Sequence, residues 1–446
     1  MVRPNILSVG QFQTERCSIE DTANVLLLDL NESPFGPSIA WHGWPDAGQG
    51  CADLAETCLE AAPDQLADAR EGLSRYPDVK QLELKQAFCA FRNCRNGTAL
   101  TPANLCLSAG LDEMIDLIIR CICRPGRDRI VICPPVYHMY QTSAAINDVE
   151  TIKIPLNTQN SFQLRLPELQ QTLSSDPSIK ICFICTPGNP TGHAIPIDDI
   201  ISVLENPNWR GILVVDEAYI DFSPRSPSAA ALVGLYPRLV VLQTLSKAFG
   251  LASIRVGFTF ACPHLCAVLS NVRKPYAVSG PSLSLARVAL GEPSLVLLDS
   301  QLQAIFDQRA RLARDLDRIQ GIRVKGGLDA NFVLFVVLKL AGVNSEVGDH
   351  SMGRPCNVAA GELVRLLRES AGILVRFKGL EYGCEGGIRV SVGKGAENNR
   401  FVEQVSALMK RLRLRATAAA VDTTSMVSLS PMIGEPLGLL DLGAAA

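Results

Sequence analysis

Histidine is scarce in this chain. Its five histidines, His42, His138, His193, His264 and His350, are scattered over 446 residues and show no ligand spacing such as H-E-x-x-H, so no metal is expected. Long apolar runs are missing too. The longest, Phe332 to Leu338, is far too short to cross a bilayer, which excludes a membrane-spanning role. Charge of one sign is not in excess. A net charge of −3, a pI near 6.0 and no basic cluster leave no electrostatic footprint for nucleic acid. The opening Met1-Val2-Arg3-Pro4-Asn5 lacks the charged-then-apolar pattern of a secretion signal, and cytoplasmic placement is the expectation.

Cysteine, by contrast, is plentiful at 15 residues. Several stand in apolar runs, as do Cys121, Cys123, Cys133, Cys182 and Cys185, and the expectation is buried, reduced thiols. Cys182-Phe183-Ile184-Cys185 has the C-x-x-C spacing but reads as a strand. Alternation sends its two sulfurs to opposite faces, which argues against a redox pair or a zinc half-site.

With 47% hydrophobic and 20% charged residues, the chain can fill a large core and suggests more than one subdomain. Residues 1–37 read as an N-terminal arm. Residues 38–74, rich in Ala, Asp, Glu and Gly, read as an insertion, with a surface helix over Asp53 to Ala69. From about 100 to 324 apolar strands (130–133, 179–185, 211–216, 238–243, 255–261) alternate with helical patterns (111–122, 136–146, 197–205, 282–297). Such alternation predicts a large α/β domain with a mostly parallel sheet flanked by helices. Residues 38–99 and 325–414 read as a smaller α+β domain, with strands at 331–335, 373–376 and 387–392 and a helix at 359–371. Residues 415–446, without aromatics, read as a mobile tail. There is no internal repeat.

The chemistry concentrates at strand ends. The strand Gly211-Ile212-Leu213-Val214-Val215 runs into Asp216-Glu217-Ala218-Tyr219, and the strand after it runs into Thr244-Leu245-Ser246-Lys247. Pro187-Gly188-Asn189-Pro190-Thr191-Gly192 precedes both. A lysine, an aspartate, an asparagine and a tyrosine placed this way are what a pyridoxal 5'-phosphate site needs. Lys247 offers the amine that can carry the cofactor's aldehyde and then move a proton. Asp216, at the carboxyl edge where open α/β sheets bind ligands, can keep the pyridine nitrogen protonated. Tyr219 and Asn189 can donate to the cofactor's phenolic oxygen. Ser246 and Arg255 suit its phosphate, as do the amides of Gly110, Leu111 and Asp112 where a helical pattern begins. Tyr137 suits either stacking on the ring or core packing.

These residues resemble the class I and II aminotransferases of fold type I, and among them the histidinol-phosphate aminotransferases, fungal members in particular. The resemblance covers about residues 25–410, interrupted at 38–74. It rests on Leu30-Asn31-Glu32 with Phe35-Gly36-Pro37, Arg75-Tyr76-Pro77-Asp78, Gly110 with Asp112-Glu113, and Tyr137 with Met139-Tyr140. It continues through Pro187 to Gly192, Asp216 to Tyr219, Thr244 to Arg255, Asp329 to Phe332, Val375-Arg376-Phe377 and Ile388-Arg389-Val390.

The resemblance implies a seven-stranded-type sheet and a homodimer in which Tyr76 reaches the cofactor phosphate of the neighbouring subunit. It implies that Arg389 holds the carboxylate of the amino donor or its keto-acid. Arg376 would receive the distal anion, and Phe35 would line the substrate pocket. The implied reaction is transamination of L-histidinol phosphate with 2-oxoglutarate. An aminotransferase for an aromatic or specialised amino acid, and a phospho-amino-acid decarboxylase of the same fold, are the alternatives. Leu111, Ser253 and Lys394 depart from the family pattern.

Overall fold

The computed structural model describes residues 2–7, 9, 16, 24–40, 73–159, 161–339 and 353–421, with side chains to 413. Seven strands form the large sheet: β1 (Leu105–Ser108), β2 (Arg129–Ile132), β3 (Glu150–Lys153), β4 (Ile179–Cys185), β5 (Ile212–Asp216), β6 (Leu239–Thr244) and β7 (Gly257–Phe260). Their order is β1-β7-β6-β5-β4-β2-β3, and only β7 runs against its neighbours. β5 and β6 are apolar along nearly their whole length because both faces of a parallel sheet are covered by helices. β3 lies at an edge and carries Glu150 and Lys153, both exposed, which is why its sequence does not stand out as a strand. β1 has only four residues, too few to show a pattern.

Two expected elements are cut differently. The strand expected at 255–261 begins at Gly257, because Arg255 sits at φ +53, left-handed backbone that no strand accommodates. The helix expected at 282–297 is two helices, Gly280–Ala289 and Glu292–Asp317. They break at Leu290-Gly291, and Pro293 falls in the first turn of the second, where its missing N–H costs nothing.

A smaller antiparallel sheet follows: β8 (Ile322–Lys325), β9 (Phe332–Val337), β10 (Arg376–Phe377) and β11 (Gly387–Ser391), ordered β10-β11-β9-β8. The run expected as one strand over 373–376 divides. Ile373–Leu374 pairs in parallel with Leu26–Leu27 of the arm, while Arg376 begins β10. Leu28 donates to Leu374 O at 3.0 Å and accepts from Ser391 N at 2.9 Å, so the arm is stitched into the body of the molecule. That carries Asp29 to Asn31 across the carboxyl edge of the large sheet.

The expected insertion opens in ordered structure, with Ser38 and Ile39 buried and Ser38 N on Phe249 O at 2.9 Å. Its proposed helix at 53–69 lies outside the described residues. The last helix, Gly395–Val421, runs past the expected start of the tail at 415, and residues 422–446 lie outside the described residues. Every described cysteine is a free thiol and most are buried. Among the described residues no group of His, Cys, Asp and Glu forms a metal site, and no helix is long and apolar enough to cross a membrane.

Candidate active site

The parallel register sets Asp216, the last residue of β5, beside Cys185 at the end of β4 and Leu242 in β6. The carboxyl ends of three central strands therefore open into one cavity of about 230 Å³. Asp216, Lys247, Tyr219, Asn189, Leu111, Asp112, Tyr137, Thr244, Ser246, Arg255, Arg376 and Arg389 all line it. The sequence placed each of these in the site.

Lys247 follows β6 by three residues. Its Nζ donates to Leu30 O at 3.0 Å and lies 5.9 Å above the Tyr219 ring. Burial, with Arg389 adding a like charge, lowers its pKa to about 8. The amine therefore gives up its proton far more readily than an ordinary lysine, as a nucleophile and proton carrier requires.

Asp216 is 4% exposed and accepts from Tyr140 Oη at 2.6 Å and from Ala218 N at 3.0 Å. Burial raises its pKa to about 6, against the pull of those two donors, so it is an anion at neutral pH. Tyr140 is itself fully buried and stacks on Phe183 at 4.7 Å. Sequence reading quoted Tyr140 without giving it a role; its place one helical turn beyond Tyr137 is the signal that was there to use.

Tyr219 Oη accepts from Asn31 Nδ2 at 3.0 Å, and burial pushes its phenol up to about 12. Asn31 is thus a site residue that received no role from the sequence. Its backbone is left-handed at φ +55 and is fixed by Ser391 Oγ on its N–H at 2.9 Å and by Asn331 Nδ2 on its carbonyl at 2.9 Å.

One end of the cavity suits a phosphate. Thr244 Oγ1 and Ser246 Oγ lie 3.0 Å apart, and Arg255 Nη2 stands 3.6 Å from Asp112 Oδ2. Leu111 opens the helix Leu111–Ile122, whose first amides face this end. Gly110 is required here: at φ +83 a Cβ would come within 2.5 Å of the Arg255 guanidinium. The Leu111 side chain packs against the buried cluster around Met114 and Ile118, which accommodates its bulk. Tyr137 lines the cavity with its hydroxyl on Asp112 Oδ1 at 2.9 Å.

The opposite wall is cationic. Arg389, 5% exposed, donates from Nη1 to Asn189 Oδ1 at 2.6 Å and from Nη2 to Asp29 O at 2.6 Å. Its Nε is buried without a protein acceptor. Arg376 stands opposite it in the β10–β11 register. Lys378 and His138 also face the cavity, and neither received a site role from the sequence. Strand alternation two residues past Arg376 is the signal that would have found Lys378.

Two expected site residues lie elsewhere in this chain. Tyr76 is 80% exposed and stacks on Tyr276 at 4.4 Å, outside the cavity. Phe35 packs half-buried against the main core and is not among the residues lining the cavity. Of the departures, Ser253 is exposed in the turn before Arg255, and Lys394 heads the last helix, its N–H on Glu397 Oε2 at 2.6 Å; neither lines the cavity.

These residues fit pyridoxal phosphate. An amine of lowered pKa, a buried anion, a hydroxyl-and-guanidinium pocket below a helix N-terminus, and a buried guanidinium nitrogen lacking an acceptor converge in one cavity.

Comparison with known proteins agrees with this. Residues 46–405 match the sequence profile of the family described as aminotransferase class I and II. The histidinol-phosphate aminotransferase of Schizosaccharomyces pombe is 39% identical over 92% of this chain and 97% of its own. That of Candida maltosa is 40% identical over 92% and 97%. The crystal structure of histidinol-phosphate aminotransferase from Sinorhizobium meliloti in complex with pyridoxal-5'-phosphate superposes with a TM-score of 0.73 at 21% identity, covering 92% of this chain and 98% of that one. A Thermus thermophilus aspartate aminotransferase gives 0.71 at 17% identity, covering 92% and 99%. At these identities the two solved structures establish the fold.

Proposed function

This chain belongs to the class I and II aminotransferases and, within them, to the histidinol-phosphate aminotransferases, and from that premise we propose that it transfers the amino group of L-histidinol phosphate to 2-oxoglutarate. The products are imidazole-acetol phosphate and glutamate. The observation that carries this reading is the meeting of Lys247 and Asp216 with the Arg376–Arg389 wall in one cavity.

Bound there, pyridoxal phosphate supplies an electron sink for the electrons left when the substrate's Cα loses a proton. The chain does the rest. Asp216, ionised at neutral pH, holds a proton on the ring nitrogen, and Tyr140 and the Ala218 amide hold Asp216. Tyr219 and Asn189 would donate to the cofactor's phenolic oxygen. Ser246, Thr244, Arg255 and the amides after Gly110 would hold its phosphate. Lys247, with its lowered pKa, would take the proton from Cα and return it two atoms further along, to the carbon on the far side of the amine nitrogen. Arg389 would hold the carboxylate beside the reacting carbon of 2-oxoglutarate or glutamate, its own geometry fixed by Asn189 and the Asp29 carbonyl; L-histidinol phosphate has no carboxylate, and its one anion is the phosphate. Arg376 receives the distal anion. A guanidinium fork serves phosphate and carboxylate alike, so one pocket accepts two unlike substrates in turn.

The active unit in this reading is a cytoplasmic homodimer. Tyr76 is exposed and away from its own chain's cavity, where it would be free to reach the cofactor phosphate of the second subunit.

The test is spectroscopic. Cofactor-loaded protein mixed with L-histidinol phosphate converts its cofactor to the amine form, and 2-oxoglutarate reverses the change. A loaded protein whose spectrum ignores L-histidinol phosphate overturns the substrate assignment and leaves the family and Lys247 in place.

A further inference from the structure

Lys378 has no part in the reaction as described, yet it faces the same cavity. Its N–H donates to Gly387 O at 2.8 Å, so the pairing with β11 continues one residue past β10. Side chains alternate along such a ribbon. Arg376 and Lys378 therefore share a face, and Phe377 turns the other way to pack on the core. Arg389, opposite Arg376, belongs to the cationic face.

Arg389 is already committed to Asn189 and to the Asp29 carbonyl. Lys378, 14% exposed, is held by Glu381 Oε1 at 2.5 Å. Glu381 Oε2 is buried and lacks a hydrogen-bond partner within the protein. His138 faces the same corner, and burial together with Lys378 and Arg376 keeps its imidazole toward the neutral form. The corner therefore presents two basic groups, Arg376 and Lys378, against the one carboxylate of Glu381.

The two substrates make different demands on that corner. A carboxylate has one charge and two oxygens, which a single guanidinium fork saturates. A phosphate monoester carries about −1.5 to −2 charges and three terminal oxygens near neutral pH. Arg376 alone leaves one oxygen and much of that charge unmatched.

We propose that Lys378 is the residue that discriminates the phosphorylated substrate, completing the seat for its phosphate beside Arg376 and remaining on Glu381 when a dicarboxylate is bound. The inference rests on the functional reading above, in which one substrate is phosphorylated and the other is not. Glu381 keeps the half-desolvated ammonium neutralised between phosphate-bearing substrates, because a buried cation without a partner is costly. Burial and Arg389 weaken proton binding by Lys378, and an arriving dianion restores it.

The test uses the cofactor-loaded enzyme, Lys378→Met, which keeps the stem and removes the charge, and Lys378→Arg as the conservative control. KM and kcat are measured for L-histidinol phosphate and for 2-oxoglutarate, and the Kd of inorganic phosphate is measured by titration calorimetry. In Lys378→Met, kcat/KM for L-histidinol phosphate and affinity for phosphate each fall by about tenfold to hundredfold, the range of one charge-assisted hydrogen bond, with the kinetic loss mainly in KM. The loss for 2-oxoglutarate is smaller by about tenfold or more, and Lys378→Arg recovers most of the phosphate affinity. Equal losses for both substrates, or phosphate affinity unchanged in Lys378→Met, overturn the proposal. A wild type that does not turn over L-histidinol phosphate refutes the functional reading separately. The phosphate seat then stands if Lys378→Met still lowers phosphate affinity, and falls if it does not.

Discussion

Arg376 and Arg389 stand directly opposite each other across the antiparallel pair β10–β11. Like charges in that position repel, typically by about 0.2–1 kcal/mol. The strain is tolerable because Arg389 is tied to Asn189 and Asp29, and both guanidiniums line the cavity, where the proposed reading brings anions to them. Binding, not stability, explains the pair.

Arg376→Gln should therefore separate the two properties. KM for both substrates rises by about tenfold to hundredfold, the range of a hydrogen bond to a charged group. The substrate-free protein becomes slightly more stable, by up to about 1 kcal/mol in thermal unfolding. Unchanged KM with a lowered Tm would mean that Arg376 is a structural residue.

Lys247 has a mapped signature. Borohydride reduction of the loaded protein, followed by peptide mass mapping, finds the cofactor on Lys247. Lys247→Ala carries none. The rate at which free cofactor attaches rises with pH through about 8 and then levels, following deprotonation of the buried amine. The sign of the stability effect is fixed by the same shift. The folded chain binds the proton less tightly than the unfolded one, so the cofactor-free protein gains stability as pH rises from about 8 to 10.5. Lys247→Met removes that slope. Cofactor found on another lysine refutes the assignment.

Asp216 behaves in the opposite sense. Burial raises its pKa from 3.8 to about 6, so the folded chain holds this proton more tightly than the unfolded one. Stability of the cofactor-free protein is lost as pH rises between those values and is not regained above them. The loss is roughly 3 kcal/mol at 1.36 kcal/mol per unit. Asp216→Asn should then be more stable than wild type at pH 8, near parity at pH 4, and inactive in transamination. Denaturant unfolding at the two pH values decides it. A variant less stable at both would show that Tyr140 and Ala218 over-compensate for burial.

Tyr76→Phe tests the shared site. The variant should remain dimeric by sedimentation and lose cofactor faster than wild type on dialysis, since only the hydroxyl is removed. Equal retention would place the hydroxyl away from the phosphate.

Much of the site was legible because its chemistry follows local order. An apolar run ending in Asp216, another followed by Lys247, and Pro-Gly turns flanking Asn189 are short-range patterns. Parallel β-strands aligned at their carboxyl ends bring such residues together almost automatically. The large sheet was legible for the same reason, except where strands were short or polar, as at Leu105–Ser108 and Glu150–Lys153.

What alternation and run length cannot carry is which distant segment meets which. Asn31 reaches Tyr219, and the Asp29 carbonyl reaches Arg389, only because the arm is stitched between Leu374 and Ser391. Tyr140 finds Asp216 only because Met139–Ile146 packs its inner face on the sheet. Lys378 joins Arg376 and Arg389 through the register of β10 on β11, and a slip of one residue would turn it away from the cavity. The amino-acid order thus determined which groups would do the chemistry. Long-range pairing and burial decided their partners, their pKa values and the cationic wall that faces the substrate.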